Sequence, residues 1–209
     1  MNLTLAIITI VILVFSAILH EVAHGYVAER FGDPTARLRG RLTLNPIPHI
    51  DPIMSILLPL VLILSGSPVV FGAAKPVPVD PFNLRDGRRD LALVSLAGPL
   101  TNFLIAIVFA VLIHILPSSL ISNTIYLILI LVVRLNLLLG IFNLIPIPPL
   151  DGSKVFALLL PEKDANAYMS IGSVGMVIIF FFLLVPIGGF SLGLIIFNLL
   201  SFAMHLLGL

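Results

Sequence analysis

Of the 209 residues, 59% are hydrophobic and 10% are charged, and the mean hydropathy is +1.21. A soluble domain carries roughly 25% charged residues, so this composition excludes an ordinary globular domain and a disordered chain and leaves a polytopic membrane protein. A net charge of +1 makes no electrostatic case for nucleic acid, and the lack of Cys excludes disulfides, thiolate metal sites and a Cys nucleophile.

The first apolar run extends from Leu3 to about Val27. Met1 to Thr4 has no basic n-region and the run contains His and Glu, so it is expected to be a retained span, not a cleaved signal peptide. A shorter run, Ile53 to Ser65, has roughly 13 residues, which is marginal for spanning. Leu91 to Leu116, Thr124 to about Leu144, Tyr168 to Val185 and Phe190 to Leu207 complete the set. The expected fold is an all-α polytopic membrane protein of about five to six transmembrane helices. It forms a single domain over 1–209, with a core of about 1–160 and additional C-terminal helices over 168–208.

The basic residues predict the sides. Arg30, Arg37, Arg39 and Arg41 follow the first span, Lys75, Arg85, Arg88 and Arg89 precede the third run, and Lys154 and Lys163 lie between the fourth and fifth. The connectors Pro117 to Asn123 and Pro186 to Gly189 carry no Lys or Arg. The positive-inside rule puts all three basic segments in the cytoplasm of a multi-pass protein of the plasma or inner membrane. A single crossing by Ile53 to Ser65 would put Lys75 on the wrong side. Asp51 to Val79 is therefore expected to enter the membrane and return, through an extended Ser67 to Val79 that reaches about 40 Å. Bare strand backbone cannot face lipid, so this stretch must pack on protein, line a wet cavity or pair with another strand. Pro76 and Pro78 lack donors, which makes Val69, Val70, Phe71, Gly72, Ala73 and Ala74 the better stretch for pairing with an unwound peptide.

The chemistry concentrates in His20-Glu21-Val22-Ala23-His24. Residues four apart share a helix face, so both imidazoles can bind one metal ion with Glu21 beside them as a base. Within a span, such ionisable residues are functional by default; the bland reading is a solvated helix end. A catalytic zinc site needs a third protein ligand. The candidate is Asp151, behind Pro146, Pro148 and Pro149, where the helix must break and free backbone groups. Its bland reading is an N-cap for the following helix. Gly98 and Asn102, four apart, suit either a site role or interhelical packing. Arg134 and Asn136 lie mid-span, and Arg134 requires a partner or a wet cavity.

Together, His20 to His24, Gly98 with Asn102, and Asn143-x-x-Pro-x-Pro-x-Leu-Asp-Gly resemble the site-2 proteases, a family of intramembrane zinc metalloproteases. The resemblance implies one Zn²⁺ per chain held by His20, His24 and Asp151, with Glu21 as the catalytic base. It implies that Asn143 holds substrate or the oxyanion and that a membrane-embedded β segment lies between the motifs; Asn102, from its place in the span, is a second candidate for the Asn143 role. The substrates it implies are proteins with transmembrane helices, cut within or near those helices, with the site toward the cytoplasmic side of the bilayer. Many members carry a PDZ or a cystathionine-synthase-type domain; this chain has length for neither and is expected to be a minimal form. Two rivals use the same residues: a transporter or metal permease, which does not explain Glu21 between two ligands, and a silent membrane chaperone, which the intact Glu21 argues against. Oligomeric state is not legible in the sequence.

Overall fold

The computed structural model describes residues 3–65, 72, 74–117, 122–186, 188 and 191–209. Among them the chain is all-helical, with no strand. The elements are α1 (Leu3–Arg30), α2 (Thr35–Leu38), α3 (Leu58–Leu64), α4 (Gly87–Ile115), α5 (Asn123–Asn143), α6 (Asp151–Leu158), α7 (Glu162–Met169), α8 (Gly172–Leu184) and α9 (Leu192–Leu206). A π-helical turn over Pro52–Leu57 leads into α3. By length and apolarity α1, α4 and α5 can each cross a membrane, and α7 with α8, bent by 70°, can form a fourth, broken span. Pro52–Leu64 and α9 are apolar but shorter.

The sorting of residues in α1 shows why these helices form a bundle. Its buried positions include Ala6, Thr9, Leu13, Ser16, His20, His24 and Ala28, one every three or four residues. They make one stripe of mostly small or polar side chains. Leu5, Ile7, Val11 and Phe15 point outward. α4 repeats the pattern, with Ser95, Gly98, Asn102, Ala106 and Ala110 inside and Leu100, Leu104, Ile107, Val108 and Val111 outside. Large apolar groups outside and small or polar ones inside suit hydrocarbon as solvent, because small residues let backbones approach and polar ones bond across helices.

α4 is the central helix, packed on α1, α5 and α6. One apolar core joins α4 and α5 to α9 through Ala106, Ala110, Val133, Leu137 and Leu200. A second joins Leu150, ahead of α6, to Ile179 of α8 and to Leu192 and Ile196 of α9. The C-terminal helices are thus packed against the elements that carry the motifs.

Two clasps fix the end of the bundle that carries the basic loops. Asp33, buried just beyond α1, accepts hydrogen bonds from the hydroxyl and N–H of Thr35, from the Asn83 amide and from the Asp80 N–H. Burial alone would raise its pKa; these donors outweigh burial and hold the carboxyl below its ordinary value. Arg88, in the first turn of α4, donates to the Ala157 and Leu160 carbonyls and so closes the C-terminal end of α6.

Of the expected pairing strand, Val69, Val70, Phe71 and Ala73 lie outside the described residues. Gly72 and the stretch 74–80 carry no strand. The stretch is tied instead by single bonds: the Lys75 N–H donates to the His49 carbonyl (2.7 Å), the Val77 N–H to Glu21 Oε2 (2.8 Å) and the Asp80 N–H to Asp33 Oδ2 (2.7 Å). The intervening Pro76 and Pro78 have no N–H. The donors of 75, 77 and 80 are thus already spent within the protein, and none remains over 75–78 for a ladder.

Candidate active site

His20 and His24 lie one turn apart on the buried stripe of α1, with their rings edge to face at 4.6 Å between centroids. Asp151 begins α6. The chain breaks after Asn143, and α6 then starts so close to that break that a Cβ on Gly152 would meet the Leu144 carbonyl oxygen at 2.2 Å. The carboxylate does not cap its helix. Oδ2 instead lies 3.1 Å from His20 Nε2 and 3.2 Å from His24 Nε2, and the two Nε2 atoms are 3.0 Å apart. Lys154, three residues on, holds Asp151 Oδ1 at 3.1 Å and also donates to the Pro149 carbonyl.

The backing of each imidazole fixes which nitrogen is free. His24 Nδ1 is 2.7 Å from the Val94 carbonyl, which can only accept, so Nδ1 carries the proton. His20 Nδ1 is 2.5 Å from Asn102 Oδ1. The Asn102 amide donates to Asn136 Oδ1 (3.0 Å), and the Asn136 amide donates to Ser16 Oγ (2.9 Å). Both Nε2 lone pairs and the carboxylate therefore converge on one point. Three acceptors about 3 Å apart repel unless a cation lies between them. Four-coordinate bonds of 2.0–2.1 Å give ligand-to-ligand edges of about 3.3 Å, close to the 3.0–3.2 Å found here. The donor set thus fits a divalent ion. Gly98 makes the room for it: a Cβ there would lie 2.5 Å from both Nε2 atoms.

A partly open cavity of about 520 Å³ adjoins this cluster, bounded by α1, α5, α8 and α9. His20, Glu21, Arg134 and Asn143 are its polar lining, and the rest is apolar side chains, glycine and alanine, including Gly72 and Ala74. Glu21 is fixed by the Val77 N–H. The Asn143 amide donates to the Leu139 carbonyl (3.0 Å) and keeps a second N–H.

The structure thus brings together His20, His24 and Asp151, the one set of described His and acidic residues grouped for a metal. Asn102 is fully buried behind His20, away from the cavity lining. His49 is buried in a loop with Nε2 bonded to the Thr43 carbonyl, outside the cluster. Sequence reasoning passed over Lys154, Ser16 and Val77. The i, i+3 spacing of Asp151 and Lys154 was a usable signal; nothing local marked the Val77 N–H.

A buried His₂Asp set beside a carboxylate, within helices apolar enough for a bilayer, defines a membrane metal site of the hydrolase kind. The comparisons agree. The model of peptidase family M50 matches residues 112–186. The chain is 35% identical over 189 residues to "Putative zinc metalloprotease YwhC" of Bacillus subtilis, covering 88% of this chain and 83% of that protein. It is 36% identical over 141 residues to "Putative zinc metalloprotease Rip2" of Mycobacterium tuberculosis, covering 66% of this chain and 51% of that protein. A 41% identity over 90 residues links it to "Putative zinc metalloprotease MJ0611" of Methanocaldococcus jannaschii, covering 42% of this chain and 45% of that protein. No solved structure matches. The chain belongs to peptidase family M50, the site-2 proteases. The transport alternative is not favoured.

Proposed function

We propose that this protein is an intramembrane zinc metallopeptidase that hydrolyses peptide bonds within or near transmembrane helices of other membrane proteins. The observation that carries the reading is the convergence of His20 Nε2, His24 Nε2 and Asp151 Oδ2 next to Glu21, beside a cavity whose lining is apolar apart from His20, Glu21, Arg134 and Asn143. His20, His24 and Asp151 hold the zinc ion. When bound, zinc supplies Lewis acidity, lowering the pKa of water and polarising the peptide carbonyl.

The chain's own residues do the rest. Glu21 takes a proton from the attacking water and returns it to the leaving nitrogen. The Val77 N–H, bonded to Oε2, fixes the carboxylate and leaves Oε1 for this exchange. Asn143 lines the cavity and keeps one amide N–H beyond its bond to Leu139, which serves as a donor for a substrate carbonyl. Asn102 acts by orienting His20, not by touching substrate. The apolar lining takes the side chains of a helix arriving from lipid. Because helical peptide bonds are closed by their own hydrogen bonds, the substrate must unwind locally at the cluster.

We place the domain over 1–209. α1, α4, α5, α8 and α9 cross the membrane, α7 lying at the cytoplasmic side. Asp51 to Val79 enters the membrane through the Pro52–Leu64 helix and is back at the cytoplasmic side by Lys75, so that the segments bearing Arg37, Arg85 and Lys163 are cytoplasmic. Single Cys at positions 38, 86 and 163 should then all be labelled from the cytoplasmic side, against a native background with no Cys. The activity is tested by metal content and by cleavage of a tagged single-span substrate. Wild type should bind zinc and cut, Glu21→Gln should bind and not cut, and His24→Ala should do neither. A Glu21→Gln protein that cuts as well as wild type would sink the mechanism.

A further inference from the structure

Arg134 lies midway along α5 and lines the same cavity as His20 and Glu21. It forms no ion pair and no hydrogen bond with any described residue. Every other polar side chain that the site places mid-span is partnered: Asn136 with Asn102 and Ser16, His20 with Asn102. A guanidinium does not shed its charge in proteins. It also lies about 16 Å from the start of α5, counted at 1.5 Å per residue from Asn123, too deep for its side chain to snorkel to the interface.

We infer that Arg134 is a subsite of this cavity that takes an acidic side chain of the substrate helix. The inference rests on the peptidase reading and adds the class of substrate. Before binding, water in the partly open cavity solvates the charge. A helix that fills the cavity removes that water, and the charge then needs an anion in its place. An Asp or Glu at the same depth in the substrate is itself costly in lipid. Pairing relieves both costs at once. A substrate with an apolar residue there leaves Arg134 desolvated and unpaired, so the subsite selects by rejection as well as by attraction. Glu21 is the other charge on the lining and already accepts from Val77.

The register follows from the helices. Asn136 is level with Ser16, to which it is bonded, and Ser16 is one turn from His20. Arg134 is two residues further along, on the side away from the basic loops. That places it about 9 Å from the cluster along the bundle, at 1.5 Å per residue. Nine ångströms is about three residues of unwound chain or about six of helix. The acidic side chain therefore belongs about three to six residues from the cut bond, on the side away from the cytoplasm.

The test uses the full chain in phosphatidylcholine vesicles, free of anionic lipid. The Glu21→Gln form serves for binding, read by photocrosslinking of single-span peptides that carry Glu, Gln, Leu or Lys at each position of that window. The unmodified Arg134 protein should capture the Glu peptide at one or two positions at least about tenfold better than the Gln, Leu or Lys peptide. The double variant Glu21→Gln, Arg134→Glu should prefer Lys at those positions, and Arg134→Lys should keep the preference for Glu. Equal capture of all four peptides by the Arg134 protein overturns the inference without any variant having to fold, as does a preference that Arg134→Glu leaves unchanged. Because capture needs no turnover, the peptidase reading fails separately: a protein with intact Glu21 that captures Glu peptides by charge but never cuts them removes the activity and leaves the subsite.

Discussion

The two polar regions beside the cavity are built on opposite principles. Behind the metal cluster each side chain is answered: His24 by Val94, His20 by Asn102, Asn102 by Asn136, Asn136 by Ser16, and Asp151 Oδ1 by Lys154. On the cavity wall, Arg134 is answered by no described residue. In a low-dielectric interior a satisfied network locks geometry, whereas Arg134 is exposed on the cavity wall and its open charge becomes costly only when a bound helix strips its water. The first arrangement positions ligands for an ion of fixed coordination; the second waits for a group that arrives with the substrate.

Changes at the locked region should break it in graded ways. The largest effect is expected from Gly98→Ala, whose Cβ would sit 2.5 Å from both Nε2 atoms. Zinc and cleavage should both be lost while the protein stays folded; zinc at wild-type stoichiometry would show that the ion lies elsewhere. Glu21→Gln comes next. It should retain zinc and slow cleavage by about 10²–10⁴-fold, as expected for loss of a general base. Asp151→Ala should weaken both zinc binding and cleavage, whereas Asp164→Ala should affect neither.

A smaller effect sharpens the comparison. Asn102→Leu removes the acceptor that fixes His20, which typically costs about 10–100-fold in metal affinity. Asn136→Leu acts one bond further back and should cost less. Competition with a zinc chelator measures both, and equal losses would mean that the chain of amides does not transmit position step by step.

The smallest effect lies outside the membrane, at Asp33. Its pKa is held below the ordinary value in the folded protein, so the unfolded chain binds the proton more readily. Its contribution to stability is therefore present above the unfolded value of about 3.9 and is lost as pH falls through the lower, folded one. The thermal stability advantage of wild type over Asp33→Asn should be full near neutral pH and shrink below about pH 4. An advantage that grew with acidification would reverse the sign of the argument.

Sequence alone determined the solvent, the chemistry and most of the helices. A mean hydropathy of +1.21 leaves only a bilayer protein. The runs from Leu3, Leu91 and Thr124 reappear as α1, α4 and α5 to within a few residues, because a span must close all its backbone hydrogen bonds within itself and so is readable from apolar length. His20 and His24 share a face by helical periodicity, and the prolines before Asp151 forced the break that frees it. Tertiary structure decided what periodicity cannot carry. Asp151 meets His20, 131 residues away, only because α6 packs on α4, the helix that also packs on α1. Asn102, open in sequence to a role at the substrate, lies behind His20 because its position on α4 faces α1 and not the cavity. Glu21 takes its bond from the Val77 N–H, a backbone donor that every residue but proline carries and that no pattern can single out. Arg134 was legible as a charge out of place; that it shares a cavity with Glu21 and has no partner among the described residues follows only from the packing of α5 against α1, α8 and α9.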